Sequence, residues 1–375
     1  MDLIFLVCNE SHPGLTTIKK RLHRSAYFNL YFRFFTSKFS KGIGSHHFYI
    51  RYLSKVICVL LYRVLQYPIL FPWYLVTLYA HFKKNKYDRL IVVNGGYPAS
   101  LLCRSAIISW AFYKPKIKGI FNFHNSLGRF NWWNFIFEPV VDYLVLISSN
   151  YIVGVSSNSA NSIRKKWIFL KTRKIKWIYN GIEDPISHLQ NPKLSIGIKS
   201  SYILMLATYE KRKGHIFLIE AFKLLVLDYP NLELFIYGHG SIEEKEVIES
   251  CVVKNRLEHK VFCNDFIDDP SQLIASAELL VVPSQEYESF GLTIIEAMSL
   301  FTPIVATNIG GIPEVLKDSG AGLLVDPHNI DDLARQMKKI LDSKKFAVEL
   351  GECGRRTYLN KFSAKQMSSQ YYDLL

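Results

Sequence analysis

Short apolar runs of strand length alternate with runs of helical periodicity along this chain, and the alternation occurs twice. In the first half, the candidate strands are residues 3–8, 89–94, 117–122, 151–155 and 175–179, and helical patterns cover residues 16–24 and 158–167. Strands and helices that alternate in this way predict a parallel sheet with helices on both faces.

The second half repeats this plan. Its candidate strands are residues 202–207, 233–237, 279–282 and 303–306, and its candidate helices are residues 215–228, 271–277, 292–300, 331–341 and 364–374. A polar stretch at residues 185–192 is predicted to be a linker, and a length of 375 residues agrees with two domains. We therefore expect two doubly wound α/β domains, residues 1–185 and 196–375, that bind ligands at the carboxyl ends of their strands. The last helix could pack back on the first of them.

The six cysteines lack the spacing of a disulfide framework or a metal site. Most of them lie in apolar runs, where a free thiol behaves as a small hydrophobic side chain. At the start of the chain, Asp2 stands where a signal peptide would carry basic residues, and the apolar run that follows has strand length. We expect a chain that begins at or near Met1 and works in the cytoplasm.

Charge separates the two halves. Residues 1–195 contain 27 Lys and Arg against 7 Asp and Glu, a balance of +20, whereas residues 196–375 contain 19 against 25, a balance of −6. No acid lies between Glu10 and Asp88, where thirteen basic residues are spread among aromatic and aliphatic ones. A basic surface rich in aromatic residues can bind nucleic acid or anionic lipid.

An apolar run favours lipid as the partner. Residues 56–78 are nearly continuous in apolar side chains, with Arg63 as their one charge. A nucleic-acid surface does not need such a run, so we expect no nucleic acid and an anionic membrane surface instead. The hypothesis assigns residues 19–86 to a membrane-associating segment and places the protein on the inner face of the cell membrane.

The same run has two structural interpretations. Pro68 and Pro72 would break or kink a helix, so residues 56–78 could form a buried core helix, a loop and a second helix. They could equally form an interfacial segment that lies in the headgroup layer, anchored by Trp73 and by lysines. A full membrane span is the least favoured of the three, although the length approaches it.

Two carboxylates surround a turn that opens a helix in the second half. Glu288 precedes Ser-Phe-Gly, and Glu296 follows Glu288 by eight positions in an apolar helical run. The first N–H groups of a helix have no intrahelical partner and attract anions. Carboxylates accept hydrogen bonds from sugar hydroxyls. The combination predicts a site for a phosphate and a sugar together, as in a nucleotide sugar.

The string ESFGLTIIEA resembles the glutamate, seven residues, glutamate signature of retaining glycosyltransferases of family 4, which have the GT-B fold of two Rossmann-like domains facing across a cleft. Further motifs resemble the family's in the same order: Asn180-Gly181-Ile182, Lys213-Gly214-His215, Tyr237-Gly238-His239-Gly240, Pro303-Ile304-Val305-Ala306-Thr307, Gly310-Gly311-Ile312-Pro313-Glu314 and Gly322-Leu323-Leu324-Val325. The likeness covers residues 175–375 well and the first half weakly.

The resemblance implies a donor site in the second half. Glu296 is similar to the glutamate that accepts hydrogen bonds from the nucleotide ribose, and Glu288 to the one near the transferred sugar. The backbone N–H groups of Phe290, Gly291 and Leu292 would then contact the distal phosphate and the sugar.

Other residues resemble the family's phosphate and sugar contacts. Lys213 matches the lysine on the donor diphosphate, but Thr208 stands where similar enzymes have an arginine, and Arg212 is the candidate to replace it. In the first half, His124 matches the histidine that reaches the transferred sugar, and Gly14 resembles the glycine turn that faces the donor phosphate and the acceptor.

The resemblance also implies the reaction. The family retains configuration, by front-face attack of the acceptor hydroxyl while the departing phosphate takes the proton, and needs neither a protein nucleophile nor a cofactor. The chain has no Asp-x-Asp motif or histidine cluster that would hold a metal. We therefore expect a metal-independent hexosyltransferase that moves a sugar from a UDP- or GDP-sugar to a glycan or lipid-linked acceptor, in the synthesis of a cell-surface polysaccharide such as lipopolysaccharide or capsule.

Two alternatives remain open from the sequence. One is a glycosidase or a sugar-nucleotide epimerase that uses Glu288 and Glu296 as an acid and base pair. The other is a non-catalytic scaffold of a glycan assembly complex, for which Thr208 and the basic first half are arguments.

Overall fold

The computed structural model describes residues 4–7, 25–28, 65–98, 100–125, 127, 136–188 and 201–375, with side chains described except at 4–7, 25–28, 187 and 188. Gly14, the helix predicted at 16–24 and most of the segment 19–86 lie outside these residues. The structure divides into two compact units. The first comprises the described residues up to Val153, with Ser162–Lys176 and Leu375, and the second comprises Gly154–Asn161 and Trp177–Leu374.

Within the described residues, the first unit contains two parallel sheets and several helices. A small parallel sheet pairs β1 (Ile4–Val7) with β2 (Ser25–Phe28). A larger sheet has the order β3-β4-β5-β6, formed by Ile91–Asn94, Gly119–Phe123, Ser149–Gly154 and Ile175–Trp177. The helices of this unit are α1 (Phe71–Asn85), α2 (Leu101–Tyr113) and α3 (Glu138–Ser148), with a 3-10 turn at Trp167–Phe169. The short helix α4 (Ser157–Ile163) follows α3 and β5, and most of its residues belong to the second unit.

The start of α1 corrects one expectation. A π-helical turn at Gln66–Leu70 leads directly into α1, so no loop separates two helices at the prolines. Pro68 lies within the π-helical turn and Pro72 in the first turn of α1, so the irregular turn falls where the prolines remove N–H groups from the helical ladder. Among the described residues, no helix is both long and apolar enough to cross a bilayer.

A buried ionic network joins α2 and α3. Arg104 of α2 is 3% exposed, and its Nη1 lies 3.1 Å from both carboxylate oxygens of Glu138 on α3. Lys166 Nζ donates to Asp142 Oδ2 at 2.6 Å, and the Tyr97 hydroxyl donates to Asp142 Oδ1, also at 2.6 Å. Arg104 holds the pKa of Glu138 below its usual range, although burial acts to raise it. Both acids of α3 therefore point inward and are paired.

The second unit is built on one parallel sheet. Its strands are β7 (Tyr202–Leu206), β8 (Glu233–Tyr237), β9 (Val261–Asn264), β10 (Leu279–Val282), β11 (Ile304–Thr307) and β12 (Gly322–Val325). Its helices are α5 (His215–Leu225), α6 (Ile242–Lys254), α7 (Ser271–Ser276), α8 (Leu292–Ser299), α9 (Ile312–Leu316), α10 (Ile330–Leu341), α11 (Lys344–Thr357) and α12 (Ala364–Tyr372). A 3-10 turn occupies Pro185–His188 in the predicted linker, and a π-helical turn, Tyr358–Phe362, joins α11 to α12.

The strand order of this sheet is β12-β11-β10-β7-β8-β9. Within this sheet, β7 comes first in sequence, and β8 and β9 follow on one side of it. The chain then crosses to the other side of β7, where it forms β10, β11 and β12. All four residues of β10 are buried, as a strand with helices on both faces requires. The order reverses between β7 and β10, and open α/β sheets bind ligands at the carboxyl ends of the two strands at such a point.

Candidate functional site

The loops that follow β7 and β10 are in contact. The backbone N–H of Gln285 donates to the Arg212 carbonyl at 2.8 Å. Gly214, at φ +80°, begins α5, and a Cβ at this position would lie 2.0 Å from the Pro283 carbonyl oxygen. Only glycine fits this approach, which explains why glycine follows Lys213.

Lys213 and Glu288 meet across these loops, 75 positions apart in sequence. Lys213 Nζ lies 2.5 Å from Glu288 Oε2, and both side chains are largely buried. The Ser284 hydroxyl donates to the same carboxylate at 3.3 Å. The structure therefore brings together two of the residues that the sequence predicts for the site.

Arg212 is also paired within the protein. Its Nε donates to Glu210 Oε2 at 2.6 Å and its Nη2 to Glu210 Oε1 at 3.3 Å. The Thr208 hydroxyl donates to Glu210 Oε1 at 2.8 Å. The guanidinium lies 5.2 Å from the ring centroid of Tyr287, beside Glu288. Arg212 thus lies against the Glu288 loop, with Glu210 as its counter-charge.

The turn after Glu288 is fixed by backbone contacts. The Gly311 N–H donates to the Glu288 carbonyl at 2.7 Å, and the Ser156 hydroxyl donates to the Ser289 carbonyl at 2.7 Å. A Cβ on Gly310, at φ +60°, would lie 2.0 Å from the Glu288 carbonyl oxygen. The Gly310-Gly311 pair of the motif is thus explained by its close approach to this turn.

The predicted phosphate-binding turn opens α8. Phe290 is 2% exposed, Gly291 has φ +89° at the N-terminal cap, and Leu292 is 47% exposed at the first helical position. The first N–H groups of a helix have no intrahelical acceptor. They are therefore positioned to bind an anion at the same sheet edge as Lys213 and Glu288.

Glu296 stands one turn further along α8 and differs from Glu288. Within the described part of the chain, its carboxylate makes no hydrogen bond or ion pair. Burial, with a contribution from the charge of Asp269, raises the pKa of Glu296. A half-buried carboxylate without a donor costs free energy, and ligand hydroxyl groups would supply the missing donors.

The first-half residues belong to the other unit. His124 follows β4, and its backbone N–H donates to the Asn94 carbonyl at 3.0 Å at the end of β3. Burial lowers the pKa of the His124 imidazole, which favours its neutral form. Gly14 lies outside the described residues.

Sequence reasoning missed the residues that pair with the predicted ones. Glu210, Ser284 and Asp269 carry no motif, although the charges of the string EKRK around Glu210 were a usable signal. Glu314 belongs to the glycine-rich motif, but its role was not predicted. Its carboxylate accepts from the N–H groups of Ser157 and Asn158 at 2.7 and 2.5 Å, and so caps α4.

The fold and these loops define an α/β protein whose second unit gathers charged side chains at one sheet edge, and part of the chain is similar to a known family. Residues 189–357 match the family model described as Glycosyl transferases group 1, which confirms the resemblance to glycosyltransferases for this part of the chain. A poly(ribitol-phosphate) alpha-N-acetylglucosaminyltransferase of Staphylococcus aureus (strain COL) is 31% identical over 176 residues, which are 44% of this chain and 35% of the relative. The chain spans between 35% and 64% of the length of the first four curated relatives it matches.

Solved structures match the whole chain in fold. A glycosyltransferase from Rickettsia africae ESF-5 has a TM-score of 0.74 at 17% identity, covering 100% of this chain and 97% of that one. HepE of Anabaena, solved with UDP and glucose, has a TM-score of 0.69 at 16% identity, covering 100% and 98%. The predicted GT-B fold class, with two parallel-sheet α/β units, is confirmed.

The tight approach at Gly310 can be tested by substitution. Gly310→Ala should destabilise the protein more than Gly320→Ala. Both positions have φ near +60°, for which an alanine costs roughly 1–2 kcal/mol, but a Cβ on Gly320 would meet only the Cys353 side chain, at 3.3 Å. The measurement is the thermal midpoint of each variant. If both variants lost the same number of degrees in thermal midpoint, the backbone would have moved away from the Glu288 carbonyl at little cost in free energy.

Proposed function

We propose that this chain is a retaining, metal-independent glycosyltransferase that moves a sugar from a UDP- or GDP-sugar to a glycan or lipid-linked acceptor in the synthesis of a cell-surface polysaccharide. The main observation behind the proposal is the contrast between Glu288, paired with Lys213, and Glu296, which has no donor among the described residues. Lys213 of the ion pair offers a cation to a phosphate, and Glu296 offers a carboxylate to hydroxyl groups.

The proposed donor lies along this sheet edge. Its diphosphate replaces Glu288 as the ion-pair partner of Lys213. It also accepts hydrogen bonds from the backbone N–H groups of Phe290, Gly291 and Leu292. Glu288, released from the lysine, accepts a hydroxyl of the transferred sugar. The ribose hydroxyls donate to Glu296. In this arrangement the diphosphate replaces the carboxylate on Lys213, and the ribose supplies Glu296 with the hydrogen-bond donors that it lacks.

The proposed reaction needs stabilisation of charge on the leaving diphosphate. The bond between the sugar C1 and the diphosphate oxygen breaks, with its electrons passing to that oxygen. The acceptor hydroxyl bonds to C1 on the same face, and its proton passes to the departing phosphate. Lys213, Arg212 and the α8 N-terminus would oppose the growing negative charge, and the family resemblance assigns the His124 imidazole to the transferred sugar.

Relatives support the donor and acceptor classes. The S. aureus relative is named as a transferase of N-acetylglucosamine to poly(ribitol-phosphate), and HepE was solved with UDP and glucose. A non-catalytic scaffold is the second candidate. The observation that favours it is the ion pair between Glu210 and Arg212, which opposes phosphate binding at the position where Thr208 replaces an arginine.

We also propose that the protein acts on the inner face of the cell membrane through residues 19–86. Only the end of this segment is described. There, Ile69, Trp73 and Val76 are 54%, 39% and 70% exposed, with helical spacing, and Lys83 and Lys84 lie in the last turn of α1. An apolar face with basic residues at its end is typical of an interfacial helix.

A panel of nucleotide sugars tests the proposed function. The purified protein is incubated with each donor, and the release of nucleoside diphosphate is measured with and without glycan acceptors. Release from one donor supports a transferase. An epimerase would change the sugar without release, a glycosidase would need no nucleotide, and a scaffold would do neither, so each of these results would contradict the proposal.

Glu296→Gln should weaken binding of the accepted nucleotide sugar by roughly 10–100-fold, because hydrogen bonds to a charged group contribute about 1.5–3 kcal/mol. Since the pKa of Glu296 is raised, wild-type affinity should be constant near neutral pH and fall as the pH drops through that raised value, whereas the variant should lack this inflection. Calorimetric titration across pH measures both.

Glu296→Gln should weaken donor binding without lowering the stability of the protein. A carboxyl whose pKa is higher in the folded than in the unfolded state lowers stability at neutral pH, and this loss disappears on acidification. Glu296→Gln should therefore keep or raise the thermal midpoint. Glu286→Gln, in the exposed part of the preceding loop, is the matched control and should bind as wild type. A Glu296→Gln protein with unchanged affinity would remove Glu296 from the donor site.

Glu210→Gln tests whether Arg212 contacts the diphosphate. Removal of the counter-charge should tighten binding of the nucleoside diphosphate roughly fivefold, since a partly exposed ion pair contributes about 1 kcal/mol. Arg212→Gln added to this variant should abolish the gain, and Glu349→Gln on α11 is the control. Weaker binding by Glu210→Gln would mean that Glu210 positions Arg212 and does not compete with the phosphate.

A further inference from the structure

The carboxylate of Glu314 joins segments that are far apart in sequence. One oxygen accepts from the backbone N–H of Ser157 at 2.7 Å and the other from that of Asn158 at 2.5 Å, at the start of α4. The Tyr179 hydroxyl lies 3.4 Å from Glu314 Oε2. Burial, and then the charge of Glu314, raises the pKa of Tyr179, so this hydroxyl stays protonated and can donate. All four residues belong to the second unit.

The hold on α4 reaches the predicted phosphate-binding turn through Ser156. The first N–H groups of a helix have no intrahelical acceptor, so the Glu314 carboxylate fixes the point at which α4 begins. Ser156 directly precedes α4, and its hydroxyl accepts from the Ser159 N–H at 3.0 Å and donates to the Ser289 carbonyl at 2.7 Å. Ser156 and Ser289 are both buried. Anchoring α4 therefore holds a buried hydroxyl on the carbonyl that precedes Phe290.

The loop that carries Glu314 contacts the same turn directly. Gly311, three positions before Glu314, donates its N–H to the Glu288 carbonyl at 2.7 Å. The backbones approach so closely here that a Cβ on Gly311 would lie 2.2 Å from the Ser289 carbonyl oxygen and 3.0 Å from Ser156 Oγ. Three segments of the chain thus meet at one carbonyl, and Glu314 ties the α4 segment to the glycine loop.

Tyr179 encloses the next residue of the turn. Its ring centroid lies 6.0 Å from that of Phe290, and the Phe362 ring centroid lies 5.7 Å from that of Tyr179 and 5.9 Å from that of Phe290. Aromatic rings at these separations stabilise one another, and Phe290 is 2% exposed. One of the two rings that hold Phe290 therefore carries the hydroxyl next to Glu314.

We propose that Glu314 is a positioning residue that holds residues 289–292, which we call the α8 turn, in the conformation that binds a phosphate. It acts through Ser156 and Tyr179 and touches no substrate itself. The phosphate is the distal one of the donor, so this inference rests on the proposed function. Hydrogen bonds to a phosphate depend on the direction of the N–H group, so a turn that loses these supports should bind the distal phosphate less tightly.

Glu314→Gln tests the inference by its effect on one phosphate. The side chain keeps its shape but loses its charge, and its amide NH₂ faces groups that are themselves donors. Affinities for UMP, UDP, GMP and GDP are measured by calorimetric titration. With the base that wild type accepts, we expect diphosphate affinity to fall roughly tenfold, as for the loss of one hydrogen bond to a charged group. Monophosphate affinity should equal that of wild type, because a monophosphate has no distal phosphate.

Two further variants separate positioning from a loss of folding. Ser156→Ala removes only the hydroxyl on the Ser289 carbonyl, and it should show the same selective loss even if Glu314→Gln does not fold. Glu278→Gln is the matched control. The Glu278 carboxylate accepts from the Ser201 hydroxyl at 2.9 Å at the amino end of β10, the opposite edge of the sheet from the α8 turn. This control should bind every nucleotide as wild type does, and thermal midpoints establish that each variant is folded.

Hydrogen exchange without ligand distinguishes this inference from the proposed function. The Gly311 amide donates to the Glu288 carbonyl, so its exchange rate reports whether the α8 turn is held. Exchange at Gly311 should be faster in Glu314→Gln and unchanged in Glu278→Gln, while exchange in β8 stays as in wild type. If wild type binds no nucleotide, the proposed function is wrong, and faster Gly311 exchange would still support the hold of Glu314 on the turn.

Three results would overturn the inference. Unchanged Gly311 exchange in Glu314→Gln would mean that the turn keeps its conformation without the carboxylate. Equal losses of monophosphate and diphosphate affinity would mean that Glu314 supports the whole unit and not the turn. If wild type binds the diphosphate and both Glu314→Gln and Ser156→Ala bind it equally well, the α8 turn does not contact the distal phosphate.

Discussion

The candidate site depends on the adjacency of β7 and β10 in the second sheet. Two strands, β8 and β9, and three helices, α5, α6 and α7, separate them in sequence, yet Leu279 lies beside Ile203 in the register. Their carboxyl ends therefore release two loops at one edge, and the loops are close enough for Gly214 to approach the Pro283 carbonyl. Lys213 and Glu288 meet because of this topology. A change in strand order would separate them, whatever their identity.

Charges at this edge are mostly satisfied within the protein. Lys213 is paired with Glu288 and Arg212 with Glu210, so the site holds two cations without an uncompensated positive charge. A diphosphate that binds as proposed would have to replace carboxylates that are already in place. Binding is then an exchange of partners, and its free energy is the difference between two sets of ionic contacts. Glu296 is different, since ligand hydroxyls would add donors to a carboxylate that has none among the described residues.

Much of the second unit follows from local sequence, whereas the pairing of its charges does not. The predicted strands at 233–237 and 279–282 have the bounds of β8 and β10, because a buried parallel strand is a short, nearly continuous apolar run. The helix α6 was not predicted, since its sequence, IEEKEVIESCVVK, is polar on most sides and its main signal is the capping box of Ser241 and Glu244. The partner of Glu210 depends on rotamers, and the effect of Asp269 on the pKa of Glu296 depends on the fold bringing two like charges near each other. Neither leaves a pattern in the sequence.

The ionic network of the first unit affects the surface charge of the basic half of the chain. With few acids in a strongly basic half, each acid that is paired internally leaves surface cations without a counter-charge, and Glu138 and Asp142 are paired in this way. The resulting positive potential extends about 8 Å from the surface at physiological salt, which is enough to act on an anionic partner before the two surfaces touch. The second half, with a balance of −6, gains nothing from approaching an anionic surface. Attraction to such a surface would therefore act on the basic half of the chain.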